Sequence, residues 1–233
     1  MDSVNHFASL PVTLSGDLVP PPAGVTDAPV QASGLSRGEL FRKAYHIQAG
    51  FAAFAMRAVS MNFIIVLMSI LLLWNTFIWR VLPAKYMTIW RPTERTKGMP
   101  SGILLYCMSV LALCGIFYNH KWMAATIWGV LAFGDGMATI IGRAAGGARL
   151  PWNRNKGWWG SLTFLVFGTL SAAALIAWSL HGSFLGALPL AAALAAICAF
   201  AESLPLPVDD NLTVPFVGAI ALPLLAMVPA LAI

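Results

Sequence analysis

Seven stretches of this chain stay apolar for about the thickness of a bilayer. They cover roughly 44–59, 62–81, 101–118, 121–142, 159–180, 184–204 and 212–232. A helix needs about 20 mostly apolar residues to cross the hydrocarbon core. With no water there to satisfy backbone N–H and C=O groups, helices are the economical way to cross. The sequence therefore predicts an all-α, polytopic membrane bundle of about seven helices. Composition agrees, since 59% of the residues are hydrophobic and only 10% are charged, against about 25% charged in ordinary soluble domains. The first run is the weakest, because it contains His46, Gln48 and Arg57.

Residues 1–36 differ from the remainder. They hold five prolines, three aspartates and neither Lys nor Arg. The segment lacks the positive start and continuous apolar core of a secretory signal. It is expected to be a disordered tail ahead of one membrane domain, 37–233. No internal repeat is visible. Cys107, Cys114 and Cys198 all sit in apolar runs without metal-ligand spacing, so packing is their expected role.

Charge orients the runs. With the N-terminus and the 82–100, 143–158 and 205–211 loops on one face, twelve of the fourteen cations fall there. Only Arg57 and Lys121 fall on the other. Lys and Arg in short loops stay cytosolic, so this face and the N-terminus are expected in the cytosol. The basic balance is thus an orientation signal. It argues against a nucleic-acid partner, although anionic headgroups can use some of these cations.

The chain's concentrated polar chemistry emerges on that same face: "RKAYHIQAG" (42–50), "GDG" (134–136), the basic loop after it, and "AESLPLPVDDNLTVP" (201–215). A single polar site at the membrane surface is the economical expectation. Asp135 interrupts an apolar run, and an ionisable residue in a span usually faces a cavity or partner. Such a carboxylate can bind Mg²⁺ or accept a hydroxyl proton; it can also simply pack against a neighbouring span. Gly134 and Gly136 beside it allow a ligand or another backbone to come close. Arg143, Arg149, Arg154 and Lys156, with Gly142, form a cationic, glycine-rich segment suited to polyphosphate, though a positive-inside loop needs the same charge.

Asp209, Asp210 and Asn211 open the last run. Hard carboxylate oxygens suit Mg²⁺, and the same residue types cap helices. Glu202 is a candidate metal ligand, base partner or ion-pair partner. His46, Arg42 and Lys43 lie on one helical turn of the same crowded face. Trp152, Trp158 and Trp159 read as interface anchors. The chain has no GxxxxGK[ST], no kinase signature set, no HExxH, no GxSxG and no paired CxxC.

"GDGMATIIGRAAGGARLPWNRNKGWWGS" followed by "ESLPLPVDDNLTVP" resembles the phytol kinase branch of the polyprenol kinase family. Dolichol kinase and the CTP-dependent diacylglycerol kinase belong to the same family. "RKAYHIQAG" resembles the family's Arg-Lys-x-x-His opening, and the likeness covers roughly residues 42–218. Many relatives have Ser where this chain has Gly157, which removes a hydroxyl contact there. The resemblance implies a membrane enzyme that phosphorylates an isoprenoid alcohol, typically from CTP. It leaves the alcohol and the oligomeric state open. On this reading Asp135 orients or deprotonates the alcohol, Asp209 and Asp210 hold Mg²⁺ with Asn211 assisting, and Arg154 and Lys156 grip phosphates. The rival expectations are a phosphatidate cytidylyltransferase-like CDP-lipid synthase, whose His-Gly-Gly and Asp-Arg ending is missing here, and a membrane transporter. The Ala-rich composition points to a bacterial plasma membrane.

Overall fold

The computed structural model describes residues 37–81, 94 and 101–231. The 1–36 tail and most of the basic 82–100 loop, with the cations expected there, lie outside the described residues.

The architecture is helical, with one small hairpin. In chain order the helices are α1 (Arg37–Gly50), the short α2 (Ala52–Ala55), α3 (Met61–Val81), α4 (Ser101–Ile116) and α5 (Lys121–Gly129). A π-helical segment, Val130–Asp135, continues α5 directly into α6 (Gly136–Ala145). Strands β1 (Arg149–Leu150) and β2 (Asn153–Gly157) follow, then α7 (Trp158–Leu180), α8 (Phe184–Ser203), α9 (Asp210–Ala226) and a 3₁₀ turn at Pro229–Leu231.

Among the described residues four helical segments are long and apolar enough to span a bilayer: Met61–Ile78, Lys121–Ala145, Trp158–Leu180 and Phe184–Ser203. Two apolar helices, α4 and α9, are shorter, at 16 and 17 residues. The expected first span over 44–59 is not a continuous helix. It divides into the second half of α1, the four residues of α2 and a run of turns. Gly50, where α1 ends, lies so close to the π segment that an added Cβ would sit 2.3 Å from the Cβ of Ala132. Polar Arg42, Lys43, His46 and Gln48 also keep α1 from being an apolar rod.

Burial separates the centre of the bundle from its edge. In the Lys121–Ala145 helix 72% of the apolar window is buried within the protein, against 22% for α3. The long helix is therefore the hub. Helices α1, α7, α8 and α9 pack round it, while α3 packs chiefly on α4. In lipid the hydrophobic effect supplies little helix association, so close van der Waals fit carries it and small residues gather at contacts. The α6–α7 crossing shows this well. A Cβ built on Gly142 would lie 2.7 Å from the Cα of Gly160.

The hairpin lies where the sequence suggested only a basic loop. It is antiparallel, pairing Arg149 with Gly157 and Leu150 with Asn153. Gly146 and Gly147 take positive φ, 62° and 89°, and turn the chain out of α6 into β1. Leu150 is fully buried and anchors the hairpin against the bundle.

The two cations expected on the opposite face have structural partners. Arg57 Nη1 donates to the carbonyl of Trp178 at 2.8 Å, and its guanidinium lies 4.4 Å from the Trp178 ring centre. Lys121 Nζ donates to the carbonyl of Val59 at 2.9 Å. These contacts tie the turns after α2 to the ends of α5 and α7.

Candidate active site

The site begins with a change of helical register. The π segment closes i→i+5 rings, inserts one extra residue into a helix, and recurs at functional positions. Here it ends on Asp135, which is buried. Lys43 of α1 reaches across and places its Nζ 2.6 Å from Asp135 Oδ2. His46, one turn on, has Nε2 at 3.2 Å from the Leu131 carbonyl and 3.6 Å from Asp135 Oδ2. The ring therefore serves the π segment's backbone first and the carboxylate second. Tyr106 backs it, with ring centres 4.2 Å apart, and the Tyr106 hydroxyl accepts from Trp128 Nε1 at 2.6 Å.

The hairpin brings the second lysine. Asn153 is buried at the start of β2, and its Nδ2 donates to the Ser203 carbonyl at 3.0 Å. Trp152 Nε1 donates to Ser203 Oγ at 3.2 Å. These bonds fasten the hairpin to the end of α8, one residue beyond Glu202. Lys156 then meets two carboxylates: its Nζ bonds Glu202 Oε1 and lies 2.8 Å from Asp210 Oδ2. Burial alone would lower its pKa, but Glu202 and Asp210 outweigh that and hold the ammonium above the usual lysine range.

Asp135, Glu202 and Asp210 each offer a carboxylate oxygen, and these oxygens all lie within 4.8 Å of one another. Five separate segments thus converge on one polar centre: α1, the π segment, β2, the end of α8 and the start of α9. Three hard oxygens at this spacing fit a Mg²⁺ ion that also takes phosphate oxygens.

The expected site residues do not all meet. Asp135, Lys156 and Asp210 come together, and Lys43, His46 and Glu202 join them. Asp209 does a different job. It is the N-cap of α9, and its side chain accepts from the Asn211 amide at 3.0 Å; Glu202 supplies the third carboxylate instead. Arg143 and Arg149 point elsewhere. Arg143 pairs with Glu39 at 2.8 Å on the exposed flank, and Arg149 Nη1 donates to the Asn155 carbonyl at 3.1 Å, bracing the hairpin. Arg154 is exposed on β2.

The three glycines expected to admit phosphate admit neighbouring protein. Added Cβ atoms on Gly136 and Gly134 would lie 2.4 Å from Ile47 and 3.2 Å from Phe164, and Gly142 abuts Gly160. Asn211 turns toward α4, where its Nδ2 donates to the Gly102 carbonyl at 3.0 Å.

One further buried acid carries no clear sequence signal. Glu94, in the 82–100 loop, accepts from the Gly102 amide at 2.7 Å and from Ser101 Oγ at 3.2 Å. Its signal was weak: a lone acid among four cations in a loop punctuated by prolines. Arg42 approaches the same place. A Cβ on Gly102 would be 3.2 Å from Glu94 Oε1 and 3.3 Å from Arg42 Nη1.

Beside the carboxylates lies a cavity of about 260 Å³ between α1, α3 and α4. Lys43, His46 and Asn211 line one part of it; Leu67, Met68 and Leu71 of α3 line another.

Comparison with known proteins adds an independent line. No family model matches the chain, and no solved structure does. A probable chloroplastic phytol kinase 1 of Oryza sativa subsp. japonica is 34% identical over 138 residues, covering 56% of this chain and 43% of the relative. The chloroplastic phytol kinase 1 of Arabidopsis thaliana is 28% identical over 134 residues, covering 54% and 44%. The chloroplastic farnesol kinase of Arabidopsis thaliana is 32% identical over 131 residues, covering 54% and 43%. The chain spans less than half the length of these curated relatives. Their chloroplastic names lend no support to the bacterial plasma membrane suggested by composition. Over the matched half, the motifs and these relatives together support the phytol kinase and polyprenol kinase family for this chain.

Proposed function

We propose that this chain transfers the terminal phosphoryl group of CTP, or of another nucleoside triphosphate, to an isoprenoid alcohol such as phytol, geranylgeraniol or a polyprenol. The site faces the cytosol at the membrane surface. The observation that carries the reading is the meeting of Asp135, Glu202 and Asp210 with Lys43 and Lys156, drawn from five segments. The similarity to enzymes named phytol and farnesol kinases supports the acceptor class.

Phosphoryl transfer is mostly positioning and charge neutralisation. Asp135, Glu202 and Asp210 would hold Mg²⁺, which when bound neutralises phosphate charge. Lys156 sits at the edge of the carboxylates, ammonium fully charged, where it can pass from acid to phosphate oxygen as nucleotide enters. Lys43 pairs with Asp135 and fixes its orientation. The alcohol oxygen forms a bond to the terminal phosphorus as the bond to the bridging oxygen breaks. The hydroxyl proton goes to a carboxylate of this cluster, and the nucleoside diphosphate departs.

The test is direct. Purified protein in lipid nanodiscs receives phytol, Mg²⁺ and CTP labelled in its terminal phosphate. Labelled lipid monophosphate with CDP is the expected result. A CDP-lipid with pyrophosphate would turn the reading to a CDP-lipid synthase, and alcohol movement without nucleotide turnover to a transporter.

A further inference from the structure

The carboxylate centre explains the donor side of such a reaction and leaves the cavity between α1, α3 and α4 without a role. Lys43, His46 and Asn211 contribute polar groups to its lining, and α3 contributes Leu67, Met68 and Leu71 with Asn75. Among the described residues Asn211 Oδ1 is buried with no hydrogen-bond partner, while its Nδ2 is engaged with Gly102. A buried acceptor without a donor costs about 1–3 kcal/mol. A ligand O–H would satisfy it.

We propose that this cavity is the acceptor slot, binding the hydroxyl end of an aliphatic alcohol with Asn211 Oδ1 accepting its hydrogen bond and the α3 wall holding its first carbons. The proposal rests on the kinase reading and deepens it. An ionised phosphate or carboxylate headgroup offers only acceptors and would leave Asn211 Oδ1 unsatisfied; an alcohol satisfies it. Lys43 lines this cavity and also binds Asp135. One side chain therefore links the slot's polar end to the carboxylates. Asn211 follows Asp210 directly, so the two reactants meet across a single turn of α9. Helix α3 is the least buried spanning helix, and a long tail can leave past it into lipid.

The experiment uses the full chain in nanodiscs with geranylgeraniol carrying a diazirine near the hydroxyl end. Photolabelling should map to the cavity-lining segments 42–52, 67–75 and 102–107 and be displaced by phytol. Labelling elsewhere, or labelling that phytol does not displace, overturns the slot whether or not turnover is seen. Kinetics give the second arm. Leu71→Trp should raise KM for the alcohol by about ten-fold or more and leave the nucleotide KM unchanged. An unchanged alcohol KM in an active Leu71→Trp protein overturns the slot and spares the kinase reading. Should Leu71→Trp not fold, Leu67→Phe gives the same contrast with less added volume. Absence of lipid phosphate from any alcohol and nucleotide sinks the kinase reading, while displaceable label on the cavity-lining segments would still uphold the slot.

Discussion

Lys156 Nζ lies 2.8 Å from Asp210 Oδ2, although 54 residues and the whole of α7 and α8 separate them. The contact exists because β2 is fastened to the end of α8 and α9 starts just beyond that end. The same lysine also bonds Glu202. A cation shared by two acids, beside a third, is a poor device for mere stability, since buried charges give little net gain. It suits a site that must exchange one cation for another.

Lys156→Met should lower phosphoryl transfer by about 10²–10³-fold, the usual effect of removing one charge-stabilising group. Lys156→Arg should recover part of it. Unchanged turnover of Lys156→Met with labelled CTP would take this lysine out of the chemistry.

The carboxylates can be told apart. Mg²⁺ is expected to raise the melting temperature of the wild type, and Glu202→Gln should abolish both that rise and phosphoryl transfer. Asp209→Asn should retain both, because Asn caps a helix about as well as Asp. The reverse pattern would return the ligand role to Asp209.

Lys43→Met leaves Asp135 buried without its cation. Breaking one side of a buried pair costs about 3–5 kcal/mol, so the melting temperature should fall. The double change Lys43→Met with Asp135→Asn should restore much of the stability and none of the activity. Full stability in the single variant would show that the pair is dispensable.

Gly142→Ala should destabilise the bundle by about 1–3 kcal/mol, the range for overpacking, because its Cβ would meet backbone at Gly160. Gly115→Ala is the control. Nothing lies within 4 Å of a Cβ there, and helix propensity favours it by about 0.5–1 kcal/mol. Thermal unfolding in detergent checks both.

The apolar runs and the acidic and basic motifs were legible because they depend on length and composition. Asp135, Lys156 and Asp210 could be assembled from the idea that polar residues on one membrane face share one site. Asp209 and Asp210 could not be ranked, since capping and metal binding favour the same side chains; only the start of α9 decides. The glycines looked like phosphate contacts because sequence does not show which neighbour fills the space. Ile47, Phe164 and Gly160 fill it. The short hairpin escaped notice because β1 has only two residues, and no period can be read from two residues.

The fastening of the hairpin to Ser203 bears on engineering. Residues 146–157 are not a portable cassette: moved into another protein's membrane bundle, they would carry Lys156 but lose the anchorage that aims it. A working chimera would have to import the last turn of α8 as well, with Asn153 and Ser203 travelling as a matched set.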